Sequence, residues 1–185
     1  MIFNKLQEVL RDYHIVKVTE EQYNDVFQLE KSNPQYFSYE QDHELTYDEC
    51  IKGILELPPN TSKDKKFFIG FYKDERLIAI MDYIEDYPSS KIAWIGLFMV
   101  HGELKGKGIG TEIIEKFKDA TYKCNYISIQ LGCIEENASA HSFWINQGFK
   151  EIRRVVTKEN GRKDWNIIVM ENRRNEEEYI DALKK

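Results

Sequence analysis

An apolar segment followed by a glycine-rich stretch constrains the fold of this chain more than any other feature. Residues 92–100, IAWIGLFMV, form a near-continuous apolar run that is typical of a strand in the middle of a sheet. The stretch KGKGIGTEII follows at 105–114, and apolar residues recurring at helical spacing predict a helix over 109–123. Residues 126–133 then alternate like a half-buried strand. Because such crossovers are right-handed, we expect strand 126–133 to lie parallel to strand 92–100.

The rest of the chain predicts further strands and helices around this unit, in the order αβααβββαβαββ. That order indicates an α/β fold with a mixed sheet of about seven strands and helices on both faces. We expect one domain over residues 1–172, with an N-terminal helix at 4–12 as an extension and a charged tail at 173–185. The other predicted helices span 19–33, 46–59 and 138–147, and the other predicted strands span 14–18, 67–72, 76–84, 149–157 and 164–172.

Composition argues against several functional classes. A net charge of −6 does not suggest a nucleic-acid-binding protein, and no apolar run approaches the roughly 18 residues of a membrane span. The three cysteines lie far apart and the four histidines lack ligand spacing, so we predict neither a disulfide framework nor a metal site. We expect a cytoplasmic protein that binds neither nucleic acid nor membrane.

The glycine-rich stretch matches neither common nucleotide-binding pattern. Gly102 and Gly106 are too close for G-x-x-x-x-G-K-[ST], and Lys107 is followed by Gly108 rather than by a hydroxyl residue. The dinucleotide pattern G-x-G-x-x-G also fails, because its third glycine would fall on Thr111. What remains is a strand, a basic glycine loop and a helix N-terminus, which together point free N–H groups at an anion. The alternative is a tight strand-to-helix turn with exposed lysines.

Two motifs at a suitable separation resemble the GNAT superfamily of acyl-CoA-dependent N-acyltransferases. The first motif, [RQ]-x-x-G-x-[GA], is matched by Lys105 to Gly110, with lysine where arginine or glutamine is usual. The combined match covers about residues 92–152. The second motif, N-x-x-A-x-x-[FL]-Y and then G-F, is matched by Asn137, Ala140, Phe143, Trp144 and Gly148-Phe149.

The resemblance implies transfer of an acetyl group from acetyl-CoA to a primary amine of a small molecule or peptide, directly within a ternary complex. It also implies that strand 126–133 splays away from strand 92–100, so that the cofactor's pantetheine arm lies along the freed edge. Dimers are common among similar proteins, which makes a homodimer an expectation here. The cofactor-binding residues that the resemblance implies are Phe98, Met99, Val100, Lys105, Gly106, Lys107, Gly108, Ile109, Gly110, Thr111, Asn137, Ala140, Phe143 and Trp144.

Trp144 departs from the family, which often places a proton-donating tyrosine at this position. An indole N–H donates hydrogen bonds but is not a usable proton source. A non-catalytic acyl-CoA-binding or regulatory module therefore stays open as an alternative to the enzyme. A plain nucleotide-binding α/β protein is a third hypothesis.

The sequence also offers candidates for catalysis and acceptor binding. Asp82 lies inside the apolar strand IAIMDYI, where an acid is costly unless it has a task or a partner. Glu135 follows strand 126–133 near the expected splay, and Tyr83 is one of the tyrosines that would replace the missing donor. The favoured alternative for Asp82 and Glu135 is an ion pair or a solvated loop. On the acceptor side, aromatic and acidic residues would suit a cationic amine, and the candidates are Tyr36, Phe37, Tyr39 and Asp82.

Overall fold

The computed structural model describes residues 1–157 and 165–175, and within them it shows a mixed sheet with helices on both faces. The strand order is β1-β2-β3-β4-β5-β7-β6, in which β4 and β5 form the parallel pair and the other neighbours are antiparallel. This confirms the predicted fold class. The helices are α1 Ile2–Val9, α2 Tyr23–Lys31, α3 Pro34–Glu40, α4 Tyr47–Leu55, α5 Ile109–Lys123 and α6 Ala138–Asn146; the strands are β1 His14–Lys17, β2 Lys66–Lys73, β3 Arg76–Glu85, β4 Ile92–Val100, β5 Ser128–Ile134, β6 Lys150–Thr157 and β7 Trp165–Arg173.

Helix α3 is not among the helices predicted from the sequence. Residues expected to form a loop after the second helix instead form α3, which begins at Pro34 directly behind Asn33. Proline is favoured at the first helical position because its missing N–H has no partner there in any case. The Asn33-Pro34 pair therefore ends α2 and starts α3.

Some predicted segments fall outside the part of the chain that the structure describes. They are the turn between β6 and β7, at 158–164, and residues 176–185 of the predicted tail 173–185. Strand β7 itself extends to Arg173. No helix among the described residues has the length and apolar character needed to cross a membrane.

Two apolar clusters cover the two faces of the sheet. The larger one joins α1, α5 and α6 to the sheet and includes Leu6, Phe117 and Trp144. The smaller one joins α2 and α4 to the opposite face around Ile80 and Met99. Helix α3 adds the rings of Tyr36 and Phe37 to the edge of this second cluster.

Strands β4 and β5 separate halfway along their length. They pair only from Ile92 to Ile95 on β4, opposite Ser128 to Leu131 on β5. Directly after this segment the register between β3 and β4 shifts, so that Gly96 is an extra residue on β4. Bulges of this kind bend a strand and increase its twist. The far half of β4 is therefore left with an edge that β5 does not cover.

Helix α1 belongs to the main core. Ile2 and Leu6 are 0% exposed, and the Ile2 N–H donates a buried hydrogen bond of 2.7 Å to Glu85 Oε1. The helix also packs against α5. The predicted N-terminal extension at 4–12 is thus a helix at Ile2–Val9 that covers part of the sheet.

We predict that Leu6→Ala lowers the free energy of unfolding by about 2–5 kcal/mol, because it leaves a cavity under α1. Chemical denaturation measures this change. The control is Asn4→Ala, at an exposed position of the same helix, which should stay within about 0.5 kcal/mol of wild type. Equal stability of both variants would show that α1 is an appendage to the fold.

Candidate active site

The freed edge of β4 presents backbone groups to the gap between β4 and β5. The His101 N–H donates to Ile78 O on β3 at 2.8 Å. Because successive residues of an antiparallel strand face alternate sides, Val100 and Phe98 direct their N–H and C=O groups away from β3. The edge can therefore accept an extended ligand as an added strand.

The glycine loop lies where this edge ends. Gly106 and Gly108 have φ angles of +74° and +81°, a region that favours glycine, and Gly108 caps the N-terminus of α5. The first hydrogen bond of α5 runs from the Glu112 N–H to Gly108 O at 3.0 Å. The N–H groups of Ile109, Gly110 and Thr111 therefore have no acceptor within the helix.

These groups form an anion-binding geometry. Lys105 and Lys107 are exposed on the same loop, and the positive end of the α5 dipole adds to their charge. The space beside Gly106 and Gly108 is open, with no protein atom within 4 Å of a side-chain carbon built there. The loop thus has both the donors and the room that a phosphate group requires.

Aromatic side chains of β4 and α6 form a wall beside the gap between β4 and β5. Phe98 of β4 stacks on Phe143 of α6 with ring centroids 6.2 Å apart, and Trp144 lies 6.1 Å from Phe98. Trp144 is only 7% exposed and also packs edge-on against Phe149 at 5.2 Å. Trp144 is therefore a packing residue that supports the wall.

Asn137 caps α6. Its Oδ1 accepts hydrogen bonds from the Ala140 N–H at 3.1 Å and from Ser139 Oγ at 3.0 Å. At the other end, Gly148 has a φ of +81° and stops the helix. The family-like motif from Asn137 to Phe149 thus builds this helix and orients its aromatic residues toward β4.

Asp82 lies on the α2–α4 face of the sheet, beside the bulge. Its Oδ2 is 3.2 Å from Lys66 Nζ, while Oδ1 is buried and has no hydrogen-bond partner among the described residues. Burial raises the pKa of this carboxyl to about 6; Lys66 lowers it and Glu56 raises it. A side-chain carbon at Gly96 would lie 2.9 Å from Asp82 Oδ2, so glycine at this position lets the Asp82 carboxylate pack against β4.

The other two catalytic candidates lie elsewhere. Glu135 forms an ion pair with Arg154 on the outer surface next to β6. Tyr83 is 0% exposed on the α1–α5 face, stacked on Phe67 with centroids 5.0 Å apart. Tyr83 has no access to a bound acceptor from this position. An ion pair accounts for Glu135, and core packing accounts for Tyr83.

The acceptor candidates lie on α3, on the same face as Asp82. Tyr36 packs edge-on against Phe37 at 5.1 Å, and Tyr39 accepts a hydrogen bond from Gln35 at 3.3 Å. Burial raises the pKa of Tyr36 well above its usual range, as does its hydrogen bond to Glu40. Tyr36 and Phe37 pack against the apolar cluster on the α2–α4 face of the sheet.

Glu30 is a buried acid on α2 that was not among the residues predicted from the sequence. Glu30 is 5% exposed, and burial raises its pKa to about 7, with Glu40 raising it further and a hydrogen bond with Cys50 lowering it. The signal was present in the sequence, because Glu30 continues the buried stripe of Val26 and Leu29 on α2. An acid on such a stripe calls for a partner or a function.

The model of the acetyltransferase (GNAT) family matches residues 5–149 of this sequence. The chain therefore belongs to the GNAT acetyltransferase family. Comparison with curated protein sequences gives no significant match.

Solved structures show the same fold. An acetyltransferase from Thermus thermophilus has a TM-score of 0.64 at 18% identity, over 85% of this chain and 95% of that one. PaiA N-acetyltransferase from Thermoplasma acidophilum, in complex with coenzyme A, has a TM-score of 0.61 at 17% identity, over 88% and 99%. The ribosomal-protein-S18-alanine N-acetyltransferase from Escherichia coli has a TM-score of 0.60 at 13% identity, over 86% and 92%.

We predict that Gly108→Asp weakens coenzyme A binding at least about tenfold more than Gly108→Asn does. Both side chains have the same shape and both tolerate a positive φ better than other residues, but only aspartate sets a negative charge against a bound phosphate. Isothermal titration calorimetry measures both affinities. Equal affinities for the two variants would contradict the assignment of this loop to phosphate.

Proposed function

We propose that this protein transfers an acetyl group from acetyl-CoA to a primary amine of a small molecule or peptide, directly within a ternary complex. The observation that carries the proposal is the uncovered edge of β4 leading into the glycine loop at the start of α5. The GNAT family assignment supports the donor, and the acidic, aromatic α3 region supports the acceptor.

The residues of the gap fit an acyl-CoA donor. The N–H groups from Gly106 to Thr111 hold its pyrophosphate, and Lys105 and Lys107 add charge. The backbone of Phe98 and Val100 binds its pantetheine arm as an added strand. Phe143 and Trp144 form the wall next to its acyl end. Bound acetyl-CoA supplies an activated thioester as the acyl donor.

Asp82 is the proposed general base. A primary amine has a pKa near ~10 and is mostly protonated at neutral pH, so a base must accept a proton before the amine can attack. The pKa of Asp82, raised to about 6, keeps the carboxylate ionised at pH 7 and makes it a stronger base than an exposed aspartate. Gly96 lets the carboxylate lie against the bulge, and the Asp82 side chain keeps 14% of its surface exposed.

The acceptor side favours a cation. The Tyr36 hydroxyl donates a hydrogen bond to Glu40, and the rings of Tyr36 and Phe37 add apolar surface. Tyr39 belongs to the same short helix. Carboxylates and aromatic faces both attract ammonium groups. An acceptor that carries a positive charge in addition to its reacting amine is therefore favoured over an acceptor that carries none.

Direct transfer is favoured over a covalent enzyme intermediate. Cys133 is the cysteine nearest the expected thioester, at the end of β5. It is 4% exposed, and burial raises its pKa to about 11. The thiol therefore stays protonated at neutral pH, whereas the thiolate is the nucleophilic form.

The first test measures thiol release from acetyl-CoA with a panel of amines that includes polyamines, aminoglycosides, amino acids and a peptide with a free α-amino group. We predict release well above the rate without amine, and the fastest release with an acceptor that carries more than one positive charge. Tight coenzyme A binding without release on any amine would favour the non-catalytic module.

A second test concerns Asp82. We predict that Asp82→Asn lowers turnover by about 100-fold or more, because it removes the base. In the wild type, kcat/KM should rise with pH through a midpoint near 6 as Asp82 loses its proton, and this limb should vanish in the variant. Glu135→Gln is the control and should leave both rate and profile unchanged. An unaltered profile in Asp82→Asn would exclude Asp82 as the base.

A further inference from the structure

Gln147 joins the C-terminal end of α6 to the first turns of α5. Its Nε2 donates a hydrogen bond to Thr111 Oγ1 at 3.3 Å, and its main-chain carbonyl accepts one from Lys118 Nζ at 2.9 Å. One turn earlier on α6, the Phe143 ring lies 3.4 Å from the position of a side-chain carbon built at Gly110. The glutamine side chain therefore reaches the turn of α5 that carries the free N–H groups.

The fold alone does not account for a glutamine at this position. Gln147 is 4% exposed, and its Oε1 has no hydrogen-bond partner among the described residues. An unpaired buried carbonyl is costly, and one hydrogen bond from the same side chain offsets that cost only in part. An apolar side chain of the same length would fill the space without this cost. A buried polar group of this kind calls for a functional explanation.

The contact with Gln147 leaves the Thr111 hydroxyl free to act as a donor. A hydroxyl has one proton and two lone pairs, and Gln147 Nε2 donates to one of the lone pairs. Thr111 is exposed, and its N–H precedes the first hydrogen bond inside α5, which starts at Glu112. Side chains of an α-helix lean toward its N-terminus. The hydroxyl proton is therefore available at the end of α5 where the N–H groups point at an anion.

We propose that Gln147 is a positioning residue for cofactor binding, whose amide holds the Thr111 hydroxyl so that its proton is donated to a pyrophosphate oxygen of coenzyme A. A charged phosphate oxygen only accepts hydrogen bonds, so a correctly turned hydroxyl adds a charge-assisted bond to those from the N–H groups. Gln147 does not contact the ligand and acts through Thr111. This inference rests on the acyl-CoA-binding role proposed above.

The test is a double-mutant cycle on the full chain, measured by isothermal titration calorimetry with coenzyme A. Thr111→Val keeps the side-chain shape without the hydroxyl and should weaken binding about tenfold. Gln147→Met keeps the length without an N–H donor and should weaken binding about fivefold, because only the orientation of the hydroxyl is lost. Adding Gln147→Met to Thr111→Val should then change the affinity less than about twofold. Independent effects, with about a fiftyfold loss in the double variant, would overturn the proposal.

Thermal stability separates positioning from support. Gln147→Met removes an unpaired buried carbonyl, so we predict a Tm equal to or above that of wild type while the affinity for coenzyme A falls. Gln147→Leu, which also lacks polar side-chain atoms, takes its place in the cycle if the methionine variant does not fold. A residue that only supports the junction of α5 and α6 would lose stability and affinity together, and that result in both variants would overturn the proposal.

A matched variant at Lys118 removes the other hydrogen bond between Gln147 and α5. Lys118→Met leaves the glutamine amide on Thr111, and Lys118 lies roughly two helical turns further along α5. At about 0.15 M salt its charge is largely screened at that distance, so coenzyme A affinity should stay within about twofold of wild type. A loss as large as that in Gln147→Met would mean that Gln147 acts only by joining the two helices.

A second ligand locates the effect on the cofactor. The compound 3′-phospho-ADP has the pyrophosphate of coenzyme A without the pantetheine arm, so Thr111→Val and Gln147→Met should weaken the binding of both ligands by the same factors. A loss confined to coenzyme A would place the effect at the aromatic wall and overturn the proposal. If wild type binds coenzyme A but the two variants show no coupling, only this inference fails. If wild type binds neither ligand, the proposed function fails as well.

Discussion

The separation of β4 from β5 is the constraint on which the rest of the site depends. Parallel pairing ends at Ile95 and Leu131, and the next residue of β4, Gly96, is the extra residue of a bulge against β3. The bulge bends β4 away from its neighbour. The backbone of Phe98 and Val100 therefore has no strand partner on the β5 side, although the Val100 carbonyl accepts a hydrogen bond from Asn33 Nδ2. The bulge also places a residue without a side chain next to Asp82. One local irregularity thus coincides with the end of β4–β5 pairing and lets the buried Asp82 carboxylate pack against the bulge.

The aromatic residues around Trp144 and the buried acids Asp82 and Glu30 lie on opposite faces of the sheet. Trp144 packs against Phe98 and Phe149 and fills the volume between α6 and β4. An indole does not release a proton at neutral pH, so the residue that matches the family's frequent proton donor here has a packing role. Two buried acids, Asp82 and Glu30, lie on the opposite face, where burial raises the pKa of both carboxyls.

Sequence predicted the parts of the structure that depend on local pattern. The helix at 109–123, the strand at 92–100 and the Asn137 cap follow from periodicity and capping chemistry over a few residues. The bulge at Gly96 and the Asn33 contact with Val100 depend on the register of distant segments, which a single sequence does not encode locally. The helix at Pro34–Glu40 is not predicted from the sequence because a proline commonly ends a helix, whereas Pro34 begins one here.

The most direct test of the account is a crystal structure of the protein with coenzyme A. The account predicts pyrophosphate density against the N–H groups of Gly106 to Thr111. It also predicts pantetheine density in the gap between β4 and β5, beside Val100. Coenzyme A bound away from this gap, or β5 paired with β4 along its whole length, would contradict the central claim that the opened strand edge is the acyl-CoA site.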